Sequence, residues 1–380
     1  MAKTDKTGLL ILGMHRSGTS ALTRVLSLIG YALPKYVTGK SDGNVTGHWE
    51  SALISELNES IFEELGLVWY SWGPFKLERL NTRYKIQVID DFVDKLNAEF
   101  PNSEDFVLKD PRLCRTAPIF LKAIKNTNVS PKVIIPVRNP LEVADSLAAR
   151  DNISKEQSAL IWLRYILDAE FASRKHPRVF MFFDELLEFP ERTLKVIFKT
   201  LNITPPTPIK DNLKEIERFL DRKIKHHSYQ RGDVVLDSTM RGWVSRTFSE
   251  LIKLTENQYD EVSLSKLDDI RGEFNEAAPL FETILNHNFG EQQQKINVKT
   301  QEAHEANLAI HALTSSLQVK TIEFTQKLEQ LEGEVSQLSN TLLQRNQEII
   351  DVKQEIEAKN QEIIDANQEV SAKNLSLIHI

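Results

Sequence analysis

Four short, almost unbroken apolar runs constrain this chain more than any other feature: "LLILG" (9–13), "FVLKD" (106–110), "KVIIPVR" (132–138) and "RVFMFFDEL" (178–186). Each has the length of a strand, and none alternates apolar with polar residues. A strand wet on one face alternates; a run apolar throughout belongs to a strand covered on both faces, the pattern of parallel sheets. Helical spacing fills the intervals. Residues 19–30 place Leu22, Val25, Leu26 and Ile29 on one face, with Gly30 as a natural stop. Residues 156–175 predict a second amphipathic helix, with Leu160, Leu163, Ile166, Leu167 and Phe171 turned inward. A third covers 190–201, after which Pro205, Pro206 and Pro208 punctuate the chain. Strands alternating with helices argue for an α/β domain with a largely parallel sheet. The helical, loop-rich stretch 210–289 completes it, which puts the domain at residues 1–290.

Charge and cysteine content narrow the function classes. A net charge of −7 offers no broad basic field, so nucleic acid is not an expected partner and any anion site must be local. The single cysteine, Cys114, excludes an internal disulfide framework and a cysteine-based metal site, and reads as a small buried side chain. The apolar run following Lys3 and Lys6 is too short to span a bilayer, and "GMHRSGTS" is no small-residue cleavage site. No later stretch reaches the roughly 18 apolar residues of a span. A cytoplasmic setting is expected, in which Asn152-Ile153-Ser154 is a chance match to a glycosylation sequon.

The composition changes near residue 290. "EQQQKINVKTQEAHEANL" is rich in glutamine and aromatics nearly vanish, as in a helical linker over 291–320. A coiled coil is predicted over 321–374. Leu328, Val335, Leu342, Ile349, Ile356, Ile363 and Val370 recur every seven residues, with Leu331, Leu338 and Val352 at the complementary d position. Arg345, Lys359 and Lys373 are imperfections at d. "NQEIIDVKQEIEAK" and "NQEIIDANQEVSAK" are near-duplicates of two heptads each. A lone helix would leave this seam wet, so an oligomer or a partner helix is expected; a charged single-helix spacer is the alternative. The last six residues, "LSLIHI", break the polar composition and match one reading frame of a transposon-type sequencing adapter. Residues 375–380 are thus expected to be an assembly artefact, with the natural chain continuing past Asn374.

The chemistry concentrates where strands end. After "LLILG" comes "MHRSGTS" and then a helix, which gathers backbone N–H groups at a helix N-terminus, where they favour an anion. Gly13 and Gly18 permit a tight turn. Ser17, Thr19 and Ser20 add hydroxyls, and Arg16 adds a fixed charge suited to phosphate or sulfate oxygens. A nucleoside-triphosphatase loop would end in Gly-Lys-Ser/Thr, with its hydroxyl on magnesium; here no lysine follows Gly18. The plainer alternative is a strand–turn–helix junction with an incidental arginine.

A second basic site follows the third run. In "PVRNPLEVADSLAAR" the strand ends on Arg138, Asn139 caps a helix, Pro140 starts it, and Glu142 takes the capping-box position. Ser146 lies two turns beyond Asn139, about 10 Å along the same face. Arg138 folded over that face makes a clamp with Ser146 for a further phosphate. A Walker B strand would instead end in an acid holding magnesium. The alternative is an arginine merely paired with a carboxylate, beside a small packing serine.

Taken together these stretches resemble the sulfotransferase superfamily, which uses 3′-phosphoadenosine 5′-phosphosulfate. "GMHRSGTS" is similar to that family's 5′-phosphosulfate loop, and "RNPLEVADS" to its 3′-phosphate motif, with Arg138 and Ser146 at the family's spacing. The likeness runs from about residue 8 to about 205. "RDNISKEQSALIWLRYILDAEFAS" and "VFMFFDELLEFPERTLKVIFKTLNI" are similar to bacterial members that act mainly on carbohydrates. The resemblance implies a P-loop, nucleotide-kinase-like parallel sheet flanked by helices, no required metal, and a carbohydrate acceptor. It implies that His15, Arg16, Ser17, Gly18, Thr19, Ser20 and Ala21 hold the phosphosulfate, while Arg138 and Ser146 hold the 3′-phosphate.

Within "NVTGHWES" (44–51), a piece similar to one in those bacterial enzymes, Glu50 is the leading general base and His48 the runner-up. Glu50 as a helix cap and His48 packed beside Trp49 are the plain alternatives. In "LKDPRLC" (108–114), Lys109 or Arg112 stands ready to stabilise sulfuryl charge or bind an acidic acceptor, and Asp110 partners one of them. Arg16, with Lys109, is assigned to charge on the migrating group. For the adenine, Trp162 or Arg241-Gly242-Trp243 comes into question, with core packing the plainer role for a tryptophan. Two rivals stand beside this reading: a kinase-like ATP enzyme, and a non-catalytic nucleotide-binding coiled-coil adaptor.

Overall fold

Paired in parallel throughout, the four apolar runs form one sheet. The computed structural model describes residues 6–38, 47–102, 104–220 and 229–377, and of 282–297 and 374–377 the backbone alone. The suspected adapter residues 378–380, and the side chains of 375–377, lie outside what is described, as do Asn44, Val45 and Thr46 of the "NVTGHWES" stretch. Strands β1 (Lys6–Ile11), β2 (Phe106–Lys109), β3 (Val129–Val137) and β4 (Arg178–Phe182) stand in the order β2-β1-β3-β4. Leu10 registers with Leu108 on one side and Val133 on the other.

The run 178–186 is shorter as a strand than its composition predicts. The ladder stops where β3 stops, with Val137 opposite Phe182. Beyond it Phe183–Glu188 turn into a short helix whose first turn carries Asp184 and Glu185, a favourable charge there.

The helices are α1 (Thr19–Leu28), α2 (Ala52–Glu64), α3 (Thr82–Glu99), α4 (Leu113–Ala123), α5 (Pro140–Asp151), α6 (Lys155–Ser173), α7 (Phe183–Glu188), α8 (Pro190–Leu201), α9 (Ile209–Phe219), α10 (Asp233–Leu236), α11 (Trp243–Glu256) and α12 (Glu261–Leu377). Strand side chains point alternately to opposite faces, so an apolar run needs two cores. Leu9, Ile11, Val107, Ile134 and Val179 pack with α1, α8 and α9. Leu10, Leu108, Val133, Ile135 and Val137 pack with α2 to α6 and α11. The predicted face of α1 is buried at Leu22, Val25, Leu26 and Ile29. On α6 the inward assignment of Phe171 is corrected: it is 43% exposed, with the guanidinium of Arg271 stacked 3.6 Å from its ring centroid. An arginine over an aromatic face gives it a cation–π partner while leaving part of the ring in water.

The chain divides into two units, Met1–His287 and Asn288–Ile380. Helix α12 is the only regular element described in the second, and its side chains from 298 to 373 are exposed. Among the described residues no helix is long and apolar enough to cross a membrane.

Candidate active site

The turn after β1 is shaped by two residues with left-handed backbone. Arg16 has φ 65° and Gly18 φ 81°, and Ser17 N–H donates to Met14 O at 3.1 Å to close the turn. Glycine is required at position 18 twice over. Besides the positive φ, a Cβ there would stand 2.1 Å from the Phe183 ring of α7. The loop therefore lies flat on α7. Helix α1 starts at Thr19 with Gly18 as N-cap and no side-chain cap, whereas α2, α3 and α6 are capped by Ser51, Asn81 and Ser154. Its first-turn N–H groups, with the helix dipole behind them, make an anion-favouring edge at the C-terminal end of the sheet.

Arg138 and Ser146 are joined to that loop directly. Arg138 Nη1 donates to Arg16 O at 2.6 Å, and Arg16 Nε donates to Ser146 Oγ at 2.7 Å. Arg138 lies along the first turn of α5, its Nε 2.9 Å from Glu142, and its guanidinium faces the Phe183 ring. Asn139 Oδ1 accepts from Leu141 N–H as the cap of α5, so Glu142 serves Arg138. Arg138 and Ser146 meet through Arg16, whose backbone one holds and whose side chain the other holds. Burial and the neighbouring Arg150 and Arg138 lower the Arg16 pKa, the mark of cations gathered at one point. Topology explains the meeting. From β1 the chain runs to β2 on one side and then to β3 on the other. The carboxyl ends of β1 and β3 therefore flank the crevice where open α/β sheets bind ligands.

Beside the loop lies a cavity of about 320 Å³ lined by His15, Thr38, His48, Glu50, Trp69 and Arg112, together with Ser55, Arg150 and Asp151. Lys109 Nζ donates to Glu50 Oε1 at 2.6 Å and to Ser20 Oγ at 3.1 Å, so a buried lysine ties the carboxylate to the loop. Burial lowers the Lys109 pKa and Glu50 opposes that effect. Ser51, and not Glu50, caps α2. Arg112 Nη1 reaches Asp110 at 3.0 Å and lies 3.9 Å from Glu50 Oε2, and its Nε reaches Glu59 at 2.6 Å. Burial works against its charge, but Asp110 and Glu59 outweigh that and hold it protonated. His15 sits against Trp69 and Tyr165, with ring centroids 4.9 and 5.9 Å away. Burial first, and then Arg112 and Arg150, push its pKa well below the usual imidazole range. His48 is lowered too, chiefly by burial, with Glu50 pulling the other way. Both imidazoles are neutral at pH 7. His15 Nε2 and Thr38 Oγ1 are buried with no hydrogen-bond partner among the described residues.

Arg138 and Ser146 are thus joined to loop residues 15–21 through Arg16, with Ser17, Thr19 and Ser146 buried. Glu50, His48 and Arg112 share the adjoining cavity, and Lys109 lies between the two. The adenine candidates do not join them: Trp162 is 1% exposed, with its ring edge-on to Phe248, and Trp243 Nε1 donates to Glu273. Sequence reasoning misses Thr38, Ser55, Trp69, Arg150 and Asp151. It also misses Tyr229–Arg231, where Gln230 O accepts from Asn139 Nδ2, Tyr229 OH donates to Asp145, and Arg231 stacks 3.6 Å from the Phe182 ring centroid. Arg150-Asp151 closes the same segment that carries Arg138 and is the one signal that could be followed. Cys114 is buried, which raises its thiol pKa and makes it inert. Among the described residues no group of three His, Cys, Asp or Glu is placed to hold a metal ion.

No family model matches the chain, and no curated protein matches it. Among solved structures it is similar to the sulfotransferase domain from the curacin biosynthetic pathway, at 16% identity and a TM-score of 0.33, over 52% of this chain and 75% of that one. It is similar to the sulfotransferase domain of the Synechococcus PCC 7002 olefin synthase, at 16% identity and TM-score 0.35, over 60% and 90% of the two chains. Mouse sulfotransferase SULT7A1 complexed with PAP is similar at 17% identity and TM-score 0.32, over 70% and 89%.

Proposed function

We propose that the first unit transfers a sulfuryl group from 3′-phosphoadenosine 5′-phosphosulfate to a hydroxyl of a carbohydrate acceptor. The observation that carries this reading is the pair of hydrogen bonds from Arg138 to Arg16 O and from Arg16 to Ser146. They tie the two segments read as anion sites to each other, which fits a single ligand bearing phosphates at both ends of a nucleoside. ATP has no need of the second site. The residues fit the nucleotide: the uncapped first turn of α1 with Ser17, Thr19 and Ser20 for the phosphosulfate, and Arg138 with Ser146 for the 3′-phosphate. Bound there, it supplies an activated sulfuryl group.

The protein's own work is positioning, charge stabilisation and proton removal. Glu50 takes the proton of the acceptor hydroxyl in the cavity. Lys109 fixes Glu50 against Ser20, which sets the base at the end of the loop. Arg16 and Lys109 offset negative charge that develops beside the loop, and Arg112 orients the acceptor. His48, neutral at pH 7, is the second candidate base. The acceptor class rests on the resemblance of residues 150–205 to carbohydrate-acting enzymes.

Thermal shift tests the nucleotide: 3′-phosphoadenosine 5′-phosphate should stabilise the protein without metal, more than 5′-AMP does, because a ligand of the native state alone raises its stability. A preference for Mg-ATP would overturn the reading in favour of a kinase-like enzyme. For the base, Glu50→Gln should keep that shift while cutting transfer about 10²–10⁴-fold. If His48→Asn does so instead, the base is His48.

A further inference from the structure

The second unit shows what it binds in the symmetry of its apolar seam. The heptad frame set by Leu328 and Leu331 continues without a break towards the N-terminus, where Ile310, Leu317 and Phe324 hold successive d positions. The matching a positions there are polar: Asn307, Thr314 and Thr321. In the C-terminal half the assignment is exchanged. Leu342, Ile349, Ile356, Ile363 and Val370 fill a, while d carries Arg345, Val352, Lys359, Ala366 and Lys373.

These two halves are mirror images about Asn340. Leu338 and Leu342 lie equally far from it, as do Leu331 and Ile349, Phe324 and Ile356, Leu317 and Ile363, and Ile310 and Val370. All ten are between 50% and 69% exposed.

We infer that this seam is covered by a second copy of the same chain running antiparallel, with the two-fold axis beside Asn340. In a parallel pair each layer faces itself, a on a′ and d on d′. That arrangement sets Arg345, Lys359 and Lys373 against their own copies, three like-charge layers in a buried seam. Reversing one helix sets a against d′. Each of the five apolar a residues of one half then meets an apolar d′ residue of the other. Lys359 faces Thr321′ and Lys373 faces Asn307′, polar against polar; Val335 facing Arg345′ and Ala366 facing Thr314′ are the two mismatches of kind.

The flanking charges are compatible with this arrangement but do not select it, since a parallel pair would set Lys327 by Glu332′ and Glu348 by Lys353′. At the g positions, which border g′ in an antiparallel pair, Lys327 lies by Glu355′ and Lys320 by Glu362′, against one unfavourable pair, Glu334 by Glu348′. Such an interface is isologous, as a closed two-fold dimer requires. Within each helix Lys359 already pairs with Glu355 at 3.0 Å and Lys373 with Glu369 at 2.7 Å, so the cations at d can lean out to the acids that flank the seam.

The test uses the full chain. Sedimentation equilibrium should give twice the 43.5 kDa chain mass. Leu331→Cys protein mixed with Ile349→Cys protein should form a disulfide-linked mixed dimer on mild oxidation. Either variant alone should not cross-link, since its two thiols lie about 27 Å apart along the antiparallel rod. Ile356→Asp should raise the dissociation constant more than about a hundredfold, while the nucleotide-induced thermal shift of the first unit persists. A single-chain mass, a mass above two chains, or self-cross-linking of each variant alone would each overturn the inference, the last in favour of a parallel pair.

Discussion

The loop after β1 and the cavity beside it are built in opposite ways. In the loop, hydrogen bonds from strand ends fix each part: Arg138 holds Arg16 O, Ser146 holds the Arg16 side chain, and Lys109 holds Ser20. The Phe183 ring fills the space under Gly18. The cavity keeps two buried polar atoms without partners among the described residues: Thr38 Oγ1, and Nε2 of His15, the loop residue that lines the cavity. A transferase of the proposed kind would gain from this division. Under the proposed function the donor side would present the same phosphate geometry at every turnover, which a loop tied by these hydrogen bonds serves. The acceptor side would exchange protein contacts for those of the proposed sugar, and buried polar atoms gain most from a ligand that supplies hydrogen bonds.

Breaking the link between the two regions should have the largest effect. Lys109→Met leaves Glu50 without its buried partner and should destabilise the first unit by about 3–5 kcal/mol in urea unfolding followed by tryptophan fluorescence. Adding Glu50→Gln to Lys109→Met should restore much of that loss while transfer stays low. No recovery in the double variant would mean that Lys109 acts through packing alone. Next is the rigidity of the loop. Gly18→Ala drives a methyl into the Phe183 ring at positive φ, with an expected cost of about 2–4 kcal/mol. It should also abolish the thermal shift by nucleotide; an unchanged shift would show that the loop is not the anion site.

The smallest effect belongs to the cavity. His15 has its pKa depressed in the folded protein relative to about 6.5 unfolded. Below pH 6.5 the unfolded chain then binds more protons than the folded one, so stability falls as pH falls. His48 and His176 act in the same direction. Between pH 7 and 5.5 the slope contributed by His15 should approach about 1.4 kcal/mol per pH unit, and His15→Gln should flatten the curve by that share. A profile equally steep in the variant would place the proton uptake elsewhere.

The same contrast decides how much was legible from sequence. The sheet, α1 and the two anion segments are contiguous signals: a buried run, a glycine turn, a capped helix. Each is set by local chemistry, so each can be read without knowing the fold. Phe171 is misread because helical spacing cannot see Arg271, an arginine from another helix that covers its ring. The strand at 178–186 is overextended because its end is fixed by the length of β3, a neighbour in space. Thr38, Trp69 and Ser55 carry no local mark of function, and only the packing of α2, α4 and α6 brings their segments to one cavity. The meeting of Arg16 with Ser146 needed topology as well, since strand order places the ends of β1 and β3 side by side.

On the proposed function, the loop after β1 and the start of α5 hold one bisphosphate nucleotide between them. Calorimetric titration of the wild type, Arg138→Ala and Ser146→Ala with 3′-phosphoadenosine 5′-phosphate and with 5′-AMP tests it most directly. The wild type should favour the bisphosphate. Arg138→Ala should erase about 10–100-fold of that preference, the worth of one charge-assisted contact, and leave the 5′-AMP affinity within about threefold. Ser146→Ala should act in the same direction and more weakly. A wild type that binds both nucleotides equally, or an Arg138→Ala variant that weakens both by the same factor, would contradict the account.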